Sequence, residues 1–537
     1  MNSMEKTQSL DYVIIGGGPA GLQLAYYLRQ ANLRVVVLER AGEVGAFFRK
    51  FPRHRKLISI NKVHTGVTDP ETNMRWDWNS LLSNEYAPLF KDFTTEYFPG
   101  ADTLLDYLKG FVERHDIPVD LNVSVSRVER TEDGFEVHAE DGRCWRSQRV
   151  VAATGLSKDY VPSIPGAELC DRYSTMSIDQ ADYINQRVLI IGKGNSAFET
   201  ADHLIPVAAS IHVASPRPLR LAWRTHFVGD LRAINNNFLD TYQLKSQNAI
   251  IDANIGEIRH NGKGFSVEIK YTHADGEVET LNYDRVIFCT GFRFDTSFFG
   301  DSCSPNMTSC GRLPLQTSAW ESENIPGLFF AGTVMQQRDW KKYMSGFIHG
   351  FRYNVQTLSY HLLSTYHDVA WPETELTYSA RGIAKGLLAE MNQSSALWQQ
   401  PGFLCNVVEL DSENRTARLL GAMPTDYAKE HWSSGTTLWL TLEYGPHQAD
   451  PFNIDRVHKT DVDRAAQSTF LHPVVRRFED GVLVDEHHVL EDLAAEWLEP
   501  EHIDPLVQYL QDLLTVRSNI TEIHDSDEMN DLVLAVG

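Results

Sequence analysis

The chain has 537 residues, which is too long for one hydrophobic core and predicts about three or four units of ordinary domain size. Its 42% hydrophobic and 23% charged residues are typical of a globular protein and exclude a disordered chain. The 49 basic and 72 acidic residues give a net charge of −23, and a field of that sign excludes nucleic acid and anionic membrane surfaces as general partners.

Cysteine spacing and apolar runs indicate the compartment. The six cysteines include no CxxC pair, which favours free thiols in a reducing environment. The first residues carry no charged segment that leads into a long apolar run, so we expect no secretory signal. No run of about 18 apolar residues occurs, so we expect no membrane span. These features predict a cytoplasmic protein.

The first element in chain order is a nucleotide-binding loop at residues 11–40, DYVIIGGGPAGLQLAYYLRQANLRVVVLER. A buried strand, a GxGxxG turn, a helix and a second strand ending in an acid follow one another there. The first glycine makes the turn, the second lets the backbone approach a pyrophosphate, and the third lets helix and strand pack closely. The helix N-terminus binds phosphate and the acid binds a ribose diol. The predicted cofactor-binding residues are Gly16, Gly18, Pro19, Ala20, Gly21, Glu39 and Arg40.

A basic run, FPRHRKLISINK, follows at residues 51–62 of this otherwise acidic chain. Because it comes soon after the acid of the first loop, we expect it to run from the adenosine end of the cofactor toward the ring. Arg53, Arg55 and Lys56 are therefore predicted near cofactor phosphates, and an acidic substrate is the alternative.

A second loop of the same kind lies at residues 187–204, RVLIIGKGNSAFETADHL. Its predicted cofactor-binding residues are Gly192, Gly194, Asn195, Ser196 and Ala197. The next strand carries Ser215 and Arg217 where the first loop has its acid. An acid repels a 2′-phosphate whereas serine and arginine bind it, so this site is predicted to prefer NADPH to NADH. A solvated surface arginine is the alternative for Arg217.

Strand ends after each loop predict how the domains connect. QRVVAATG (148–155) and DRVIFCTG (284–291) are strands that end in a Thr-Gly pair, and GLFFAGTV (327–334) is a further strand. The Thr-Gly pairs add Thr154, Gly155, Thr290 and Gly291 to the predicted cofactor site. GFIHGFRYNVQTLSYHLL (346–363) predicts a helix whose start faces the flavin ring. Two nucleotide sites of different chemistry indicate a flavin and a nicotinamide, FAD and NADPH, that work together.

The predicted fold class is α/β, with two Rossmann-like dinucleotide-binding domains and a C-terminal α+β extension. The expected ranges are 1–160 and 281–365 for a split FAD domain, 161–280 for an inserted NADPH domain, and 366–537 for the accessory domain. In the accessory domain, FLHPVVRRFEDGVLVDEHHVLEDLAAEWL predicts strands followed by an amphipathic helix. A lid, a contact in a homodimer and a wall of the substrate site are the alternatives for this domain.

These motifs resemble the two-dinucleotide-binding flavoproteins, and among them the class B flavin monooxygenases most. Longer stretches, among them FPRHRKLISINK, DWNSLL, GKGNSAFETA, GFIHGFRYN and FLHPVV, are similar to the FAD-dependent oxidoreductase family of the endoplasmic-reticulum flavoprotein associated with degradation. This resemblance covers most of residues 11–365 and patches of the tail. It implies FAD and NADPH as cofactors. The signal peptide and retrieval tail of that flavoprotein are absent, so its role in quality control is not expected.

The monooxygenase resemblance also implies roles for single residues. Phe47 and Phe48 stand where that family has a segment along the flavin. Asn61, followed by Lys62, stands where those enzymes have an asparagine that supports the hydroperoxyflavin, the species that transfers one oxygen atom. Gly332-Thr333 replaces the usual Gly-Asp near the ribityl chain, and LCDRYSTMS stands in place of the FxGxxxH fingerprint.

Three functions follow as hypotheses. The favoured one is an NADPH-dependent flavin monooxygenase that uses O₂ to oxygenate a small molecule at a soft nucleophile, preferably an amine or N-heterocycle nitrogen. The second is a thiol or disulfide oxidoreductase, which needs two cysteines beside the flavin, but Cys303 and Cys310 are the only near pair. The third is a structural flavoprotein that acts through partners. No metal site is expected, because His487 and His488 lack a third ligand at suitable spacing.

Two polar segments leave alternatives open. HFVGDLRAINNN (226–237) forms either a loop near the substrate or a cap on a helix of the NADPH domain. His349 and Arg352 are one helical turn apart, and either one of them faces flavin or substrate or the histidine is a packing residue.

Overall fold

The computed structural model describes residues 10–241, 248–445 and 456–515. The predicted start of the FAD domain and the predicted end of the accessory domain lie partly outside the described residues. The chain divides into two compact units, Met1–Thr65 with Trp76–Val355 and Gly66–Arg75 with Gln356–Gly537. Among the described residues, no helix is both long enough and apolar enough to cross a bilayer.

The strands of the first unit are β1 (Leu10–Ile15), β2 (Val35–Leu38), β3 (Val119–Asp120), β4 (Val125–Thr131), β5 (Gly134–Ala139), β6 (Cys144–Ala152), β7 (Lys158–Asp159), β8 (Asp171–Arg172), β9 (Arg187–Ile191), β10 (Ser210–Ser215), β11 (Ala249–His260), β12 (Phe265–Tyr271), β13 (Val278–Tyr283), β14 (Arg285–Phe288), β15 (Phe292–Arg293) and β16 (Leu328–Phe330). The strands of the second unit are β17 (Glu373–Leu376), β18 (Leu404–Asp411), β19 (Thr416–Pro424), β20 (Thr436–Glu443), β21 (His472–Glu479) and β22 (Val482–His488).

The α-helices in chain order are α1 (Pro19–Gln30), α2 (Phe47–Lys50), α3 (Pro70–Asn73), α4 (Ala101–His115), α5 (Asn195–Leu204), α6 (Ala222–Thr225), α7 (Asn237–Thr241), α8 (Ile348–Tyr366), α9 (Ala380–Gln393), α10 (Ala396–Gln399) and α11 (Thr425–His431). Residues 500–515 are also helical.

The first sheet has the order β3-β2-β1-β6-β5-β4, and β16 lies beside β6. Strand β1 is parallel to both β2 and β6. Its residues from Tyr12 to Ile14 are fully buried, as expected for an apolar run at the centre of a parallel sheet. The strand β16 follows the whole second sheet in sequence but pairs with β6. The first sheet is therefore built from chain segments that precede the second sheet in sequence and from one strand that follows it.

The second sheet has the order β13-β12-β11-β10-β9-β14-β8. The interior strand β9, between β10 and β14, buries alternate residues on opposite faces. Val188 and Ile190 pack with helix α5 in one core cluster, and Leu189 and Ile191 pack in another with β12 and β14. Because the glycine turn directly follows β9, it lies at the carboxyl edge of the sheet, where open α/β sheets bind ligands.

The second unit contains a six-stranded antiparallel sheet in the order β17-β19-β18-β20-β21-β22. The predicted helix after β22 is wrong as placed. Ala495 and Trp497 have φ values of +56° and +50°, which a right-handed helix excludes. The Asp492 carboxylate instead accepts hydrogen bonds from the backbone N–H groups of three residues of this turn. Helical residues begin only at Pro500.

The fold class is confirmed: the protein is α/β, with two Rossmann-like sheets and an α+β region after them. The predicted domain ranges stay predictions. Their last boundary, at residue 365, falls within helix α8, whereas the compact units divide after Val355.

Candidate functional site

The first glycine loop has the backbone that a dinucleotide requires. Gly16 has a φ of +112°, and a Cβ there would lie 2.6 Å from the carbonyl oxygen of Ala153. At Gly18, an added Cβ would meet no described atom within 4 Å, so the backbone faces open space. Helix α1 begins at Pro19, and no side chain caps it. Its first N–H groups are therefore available to an anion.

Glu39 closes this loop at the end of β2. Its carboxylate accepts a hydrogen bond from the Gly17 N–H at 2.8 Å and another from the Ala41 N–H at 2.9 Å. The residue is 9% exposed. A carboxylate has about four acceptor positions, so capacity remains for two ribose hydroxyls. Arg40, which is also predicted to bind the cofactor, is exposed.

Several other predicted residues lie around the same loop. The Gly45 N–H donates to the Gly17 carbonyl at 2.8 Å, which brings helix α2 with Phe47 and Phe48 to the loop. A Cβ on Gly332, whose φ is +84°, would lie 2.8 Å from the Cβ of Ala20. The Thr333 hydroxyl donates to the Gly346 carbonyl at 3.4 Å, and Gly155 has a φ of +62°. The buried Thr154 hydroxyl has no hydrogen-bond partner in the described ranges.

The second glycine loop repeats this backbone. Gly192 has a φ of +130°, and a Cβ there would lie 2.2 Å from the Cys289 carbonyl oxygen. A Cβ on Gly194 would again meet nothing within 4 Å among the described residues. Helix α5 begins at Asn195 without a side-chain cap, and Ser196 and Ala197 follow in its first turn. This loop therefore offers a second site for an anionic cofactor.

The Asn195 side chain fixes the polar segment 226–237. Its NH₂ group donates to the carbonyl of Asp230 at 2.9 Å, and its oxygen accepts from the Arg232 N–H at 3.0 Å. The segment thus packs on the start of helix α5, and its two predicted roles, a loop near the substrate and a helix cap, stay predictions. The Arg232 guanidinium also lies 4.9 Å from the centre of the Trp78 ring, so the same segment contacts the chain around Trp78.

A lysine that the sequence prediction missed organises the end of β10. Lys193 lies between the two glycines, and its side chain is 5% exposed. Its ammonium pairs with Asp252 and donates to the carbonyls of Ser215 at 3.3 Å and Arg217 at 3.2 Å. The Ser215 hydroxyl donates to the Arg217 carbonyl at 3.1 Å, and the Arg217 side chain is exposed. The guanidinium is therefore placed in solvent beside the loop.

The second Thr-Gly pair also lies at this loop. The Thr290 hydroxyl donates to the Tyr160 carbonyl, and the Arg312 guanidinium donates to the Thr290 carbonyl at 3.1 Å. Gly291 has a φ of +85°.

The basic run at 51–62 connects the two nucleotide-binding regions. The Arg53 N–H donates to the Tyr173 hydroxyl at 2.9 Å, and its guanidinium donates to the Met176 carbonyl at 2.7 Å. Arg55 pairs with Asp102 at 2.7 Å and donates to the Phe48 carbonyl at 2.6 Å. Lys56 similarly pairs with Glu96 at 2.6 Å. All three charges thus have protein partners, and their predicted proximity to cofactor phosphates stays a prediction.

Asn61 ends this run in a buried position, with 1% of its surface exposed. Its NH₂ group donates to the carbonyls of Thr94 at 2.9 Å and Glu96 at 3.4 Å. These two acceptors fix the orientation of the amide. The amide oxygen is buried and has no partner among the described residues. Lys62 is exposed and contributes a backbone N–H to the Trp76 carbonyl at 3.2 Å.

Trp78 and His349 form a stacked pair near Asn61. The Trp78 N–H donates to the carbonyl of Ile60, the residue before Asn61, at 3.2 Å. The rings of Trp78 and His349 are stacked with centroids 4.3 Å apart. Burial, with the charges of Arg352 and Arg232, lowers the pKa of His349 well below its usual value, so the imidazole is neutral. Its Nδ1 is buried, and no described residue is hydrogen-bonded to it.

Arg352 holds this region together. It is fully buried on α8 and donates to the carbonyls of Asp77 at 2.8 Å and Ser80 at 2.9 Å. The side-chain amide of Gln23 on α1 donates to the Arg352 carbonyl at 2.6 Å. The start of α8, the first glycine loop and the chain around Asn61 are therefore joined by direct contacts. The helical spacing of His349 and Arg352 made them candidates for the site in the sequence analysis. Spacing carried no such signal for Trp78 or Gln23.

None of the cysteines forms a disulfide. All six lie in the described part of the chain and are free thiols. Cys303 is buried in the core of the first sheet, where burial raises the pKa of its thiol to about 12. Cys310, its nearest neighbour in sequence, is exposed. Neither thiol is disulfide-bonded to the other or to any third cysteine.

Comparisons with known proteins agree with this architecture. The family model described as pyridine nucleotide-disulphide oxidoreductase matches residues 13–332. The FAD-dependent oxidoreductase domain-containing protein 2 of Mus musculus is 34% identical, and the alignment covers 94% of this chain and 84% of that protein. The protein of the same name from Danio rerio is 32% identical over 96% of this chain and 85% of its own length.

Solved structures share the fold of the nucleotide-binding part. A bacillithiol disulfide reductase from Staphylococcus aureus superposes with a TM-score of 0.51 and 20% identity, covering 67% of this chain and all of that one. At this level of identity the likeness concerns the fold alone.

Proposed function

The chain belongs to the pyridine nucleotide-disulphide oxidoreductase family, and we propose that it is an NADPH-dependent flavin monooxygenase that transfers one oxygen atom of O₂ to a small molecule. FAD and NADPH are its cofactors. The atom that we propose is oxygenated is a soft nucleophile, with the nitrogen of an amine or N-heterocycle preferred. No larger partner is needed for this reaction.

The observation that supports this proposal most is the unpartnered oxygen of Asn61. A buried carbonyl oxygen without a hydrogen bond costs about 1–3 kcal/mol, so it indicates a donor that a bound molecule supplies. Because both N–H bonds of the amide point to backbone carbonyls, the side chain acts as an acceptor only. The role that we propose for Asn61 is therefore that of a hydrogen-bond acceptor.

The residues that would hold FAD are those of the first loop, with Glu39 on the ribose and the N-terminus of α1 on the pyrophosphate. Gly192 to Ala197 would hold NADPH, with Ser215 and Arg217 beside its 2′-phosphate. When bound, FAD supplies the chemistry, since it accepts a hydride from NADPH and passes electrons to O₂.

The protein's own contribution is to orient groups and to exclude water. Asn61 presents a fixed acceptor, and neutral His349 presents a second nitrogen whose role as donor or acceptor depends on its tautomer. The Trp78 ring covers one face of that imidazole, and Arg352 holds helix α8 against the segment that carries Trp78. No residue here has to act as a strong acid or base.

The thiol or disulfide alternative has less support. A flavin disulfide reductase needs two cysteines close enough to bridge. All six thiols of this chain are free, and the candidate pair differs in burial, since Cys303 is buried and Cys310 is exposed. No cysteine pair therefore supports this chemistry. The structural-flavoprotein alternative predicts a flavin that NADPH does not bleach.

Asn61→Ala tests the proposal without knowledge of the substrate. FAD in the wild-type protein is reduced by NADPH without oxygen and then mixed with O₂. We expect the flavin spectrum to return in two phases, a fast and a slow one. In Asn61→Ala the acceptor is lost, so we expect the slow phase to shorten by about tenfold and H₂O₂ to be released in proportion to the NADPH consumed.

Asn282→Ala is the matched control, because Asn282 is an exposed amide on strand β13 that also accepts side-chain hydrogen bonds. In this variant the flavin spectrum should return in the same fast and slow phases as in the wild type. A wild-type flavin that returns in one phase with stoichiometric H₂O₂ would refute the monooxygenase, and a flavin that NADPH does not reduce would refute any NADPH-dependent activity.

A further inference from the structure

A cavity lies in the second unit, outside the residues assigned to the nucleotide cofactors. Its volume is about 230 Å³, which suits a small molecule rather than a drug-sized one. The side chains that define its character are Trp398, Tyr444, Arg456, Phe470, Glu491 and Asp492. Phe470 opens the motif FLHPVV, which the proposed oxygenation does not use.

Glu491 gives this cavity a specific polar group. Its side chain is 1% exposed, and one carboxylate oxygen accepts a hydrogen bond from Arg456 Nε at 2.8 Å. The second oxygen is buried and has no partner in the described chain. Burial of a carboxylate oxygen without a donor is costly, so the oxygen indicates a ligand that donates a hydrogen bond.

The backbone around Glu491 is well supported. The residue follows strand β22, and the Val489 N–H donates to the Pro473 carbonyl on the neighbouring strand at 2.9 Å. Leu490 is 1% exposed and packs with Val457 and Ala465. The carboxylate is therefore held in place before any ligand binds, which lowers the entropic cost of binding.

The charges on the wall favour a cation. Arg456 contributes one positive charge, and Glu491 and Asp492 contribute two negative charges, so the balance is 1 − 2 = −1. Three backbone N–H groups lower the pKa of Asp492 despite partial burial, so it stays ionised at neutral pH. Aromatic faces attract cations as well, and the wall has three aromatic side chains.

Three large side chains that line the cavity are partly or largely exposed to solvent. Tyr444 is 43% exposed, Phe470 is 36% exposed and Leu493 is 79% exposed. Large apolar side chains at the rim of a polar-ended cavity are typical of sites that bind amphipathic ligands.

We infer that this cavity binds a small amphipathic amine, whose ammonium group donates a hydrogen bond to the free oxygen of Glu491 and whose apolar body lies against Phe470 and Trp398. The site does not depend on the proposed oxygenation, because it is built by the second unit alone. The amine is held without any covalent step.

The test uses the full-length, FAD-loaded protein without NADPH and three probes of one shape: 2-phenylethylamine, 2-phenylethanol and 3-phenylpropionate. Binding is measured by calorimetry and by saturation-transfer NMR. We expect the amine to bind with a Kd of about 1 mM or lower, the alcohol about tenfold more weakly, and the carboxylate weakest. Glu491→Gln should remove the preference for the amine over the alcohol.

Glu486→Gln is the matched control, because Glu486 pairs with Arg476 in the same sheet and does not line the cavity. It should bind all three probes as the wild type does. Equal binding of amine and alcohol to the wild type, or amine binding that Glu491→Gln leaves unchanged, overturns the inference.

A second variant covers the case in which Glu491→Gln does not fold. Phe470→Ala keeps the ion pair and removes an aromatic wall, so amine and alcohol should both bind about three- to tenfold more weakly. Unchanged binding of both probes to this variant overturns the inference as well. These binding measurements do not involve NADPH oxidation. Failure of this inference can therefore be told apart from failure of the proposed function.

Discussion

The two glycine loops have the same backbone and different side chains. Gly16 and Gly192 have φ values of +112° and +130°, and each one faces the carbonyl at the end of a neighbouring strand, Ala153 or Cys289. Each loop has an uncapped helix after it. The shared backbone is what any dinucleotide needs, so the choice of cofactor must depend on the few side chains that differ.

Those differences lie at equivalent positions. The first loop has Gly17, whose N–H binds the carboxylate of Glu39. The second has Lys193, whose ammonium holds the backbone of Ser215 and Arg217. The Glu39 carboxylate beside the first loop suits a ribose diol, and the exposed Arg217 guanidinium beside the second suits a 2′-phosphate. We propose that these few side chains, on one shared backbone, separate FAD from NADPH.

The largest expected effect is that of Gly21→Ala. A Cβ at Gly21 would lie 2.2 Å from the Gly16 carbonyl oxygen, so helix α1 has to move away from the loop that we propose to bind the pyrophosphate. We expect FAD affinity to fall by more than about 100-fold, since overpacking costs about 1–3 kcal/mol and the phosphate contacts are lost as well. The flavin content of the purified protein measures this loss.

The second loop supplies the comparison for that change. It has Ala197 where the first has Gly21, and Ala197 is fully buried. Ala197→Gly should therefore cost only about 1 kcal/mol of helix stability and alter the Kd of NADPH by less than about threefold. Full FAD content in Gly21→Ala would contradict the idea that close packing at this glycine is required.

Arg217→Ala is expected to have the next largest effect. Loss of the guanidinium should weaken NADPH binding by about 1.5–3 kcal/mol, which is roughly tenfold to 100-fold, and leave NADH binding unchanged. Stopped-flow reduction at varied NADPH and NADH concentrations gives both constants. Arg259→Ala, which removes an exposed arginine of strand β11, should change neither constant. Equal losses for NADPH and NADH would mean that Arg217 does not recognise the 2′-phosphate.

The sequence was informative where a pattern is local. Strand, glycine turn and helix lie within one short stretch in each loop, so glycine spacing and apolar runs predicted both loops. The contact of Trp78 with His349, and that of Lys193 with Asp252, join residues that are far apart in sequence. No spacing rule reports such contacts, because they depend on how the sheets are assembled.

Charge runs and amphipathic patterns were less reliable for the same reason. The basic run at 51–62 carries no information about its partners, and its arginines and lysine contact acids and carbonyls of the protein. The apolar spacing after β22 predicted a helix. Asp492 there accepts backbone hydrogen bonds in a turn instead, which is a common way for aspartate to compete with helix formation.

The smallest expected effect concerns helix α5 and its counterpart α1. Gln23 and Glu199 stand two residues after Gly21 and Ala197, and both are buried. Gln23 is neutral, whereas burial raises the pKa of Glu199 to about 7, and the Tyr173 hydroxyl donates to its carboxylate. Between about pH 4.5 and 7 the folded protein keeps a proton that the unfolded chain has released. Stability therefore falls as the pH rises through this window.

Glu199→Gln gives α5 the same neutral side chain that α1 has at Gln23. The variant should therefore lose this dependence of stability on pH. At pH 4, below the unfolded pKa, we expect wild type and variant to unfold at about the same urea concentration. At pH 7.5 the variant should be more stable by about 1–3 kcal/mol, because it carries no buried charge. Glu277→Gln, at an exposed position, should follow the wild type at both pH values. A variant with the pH dependence of the wild type would show that Glu199 is ionised throughout, so that the two helices differ in charge as well as in sequence.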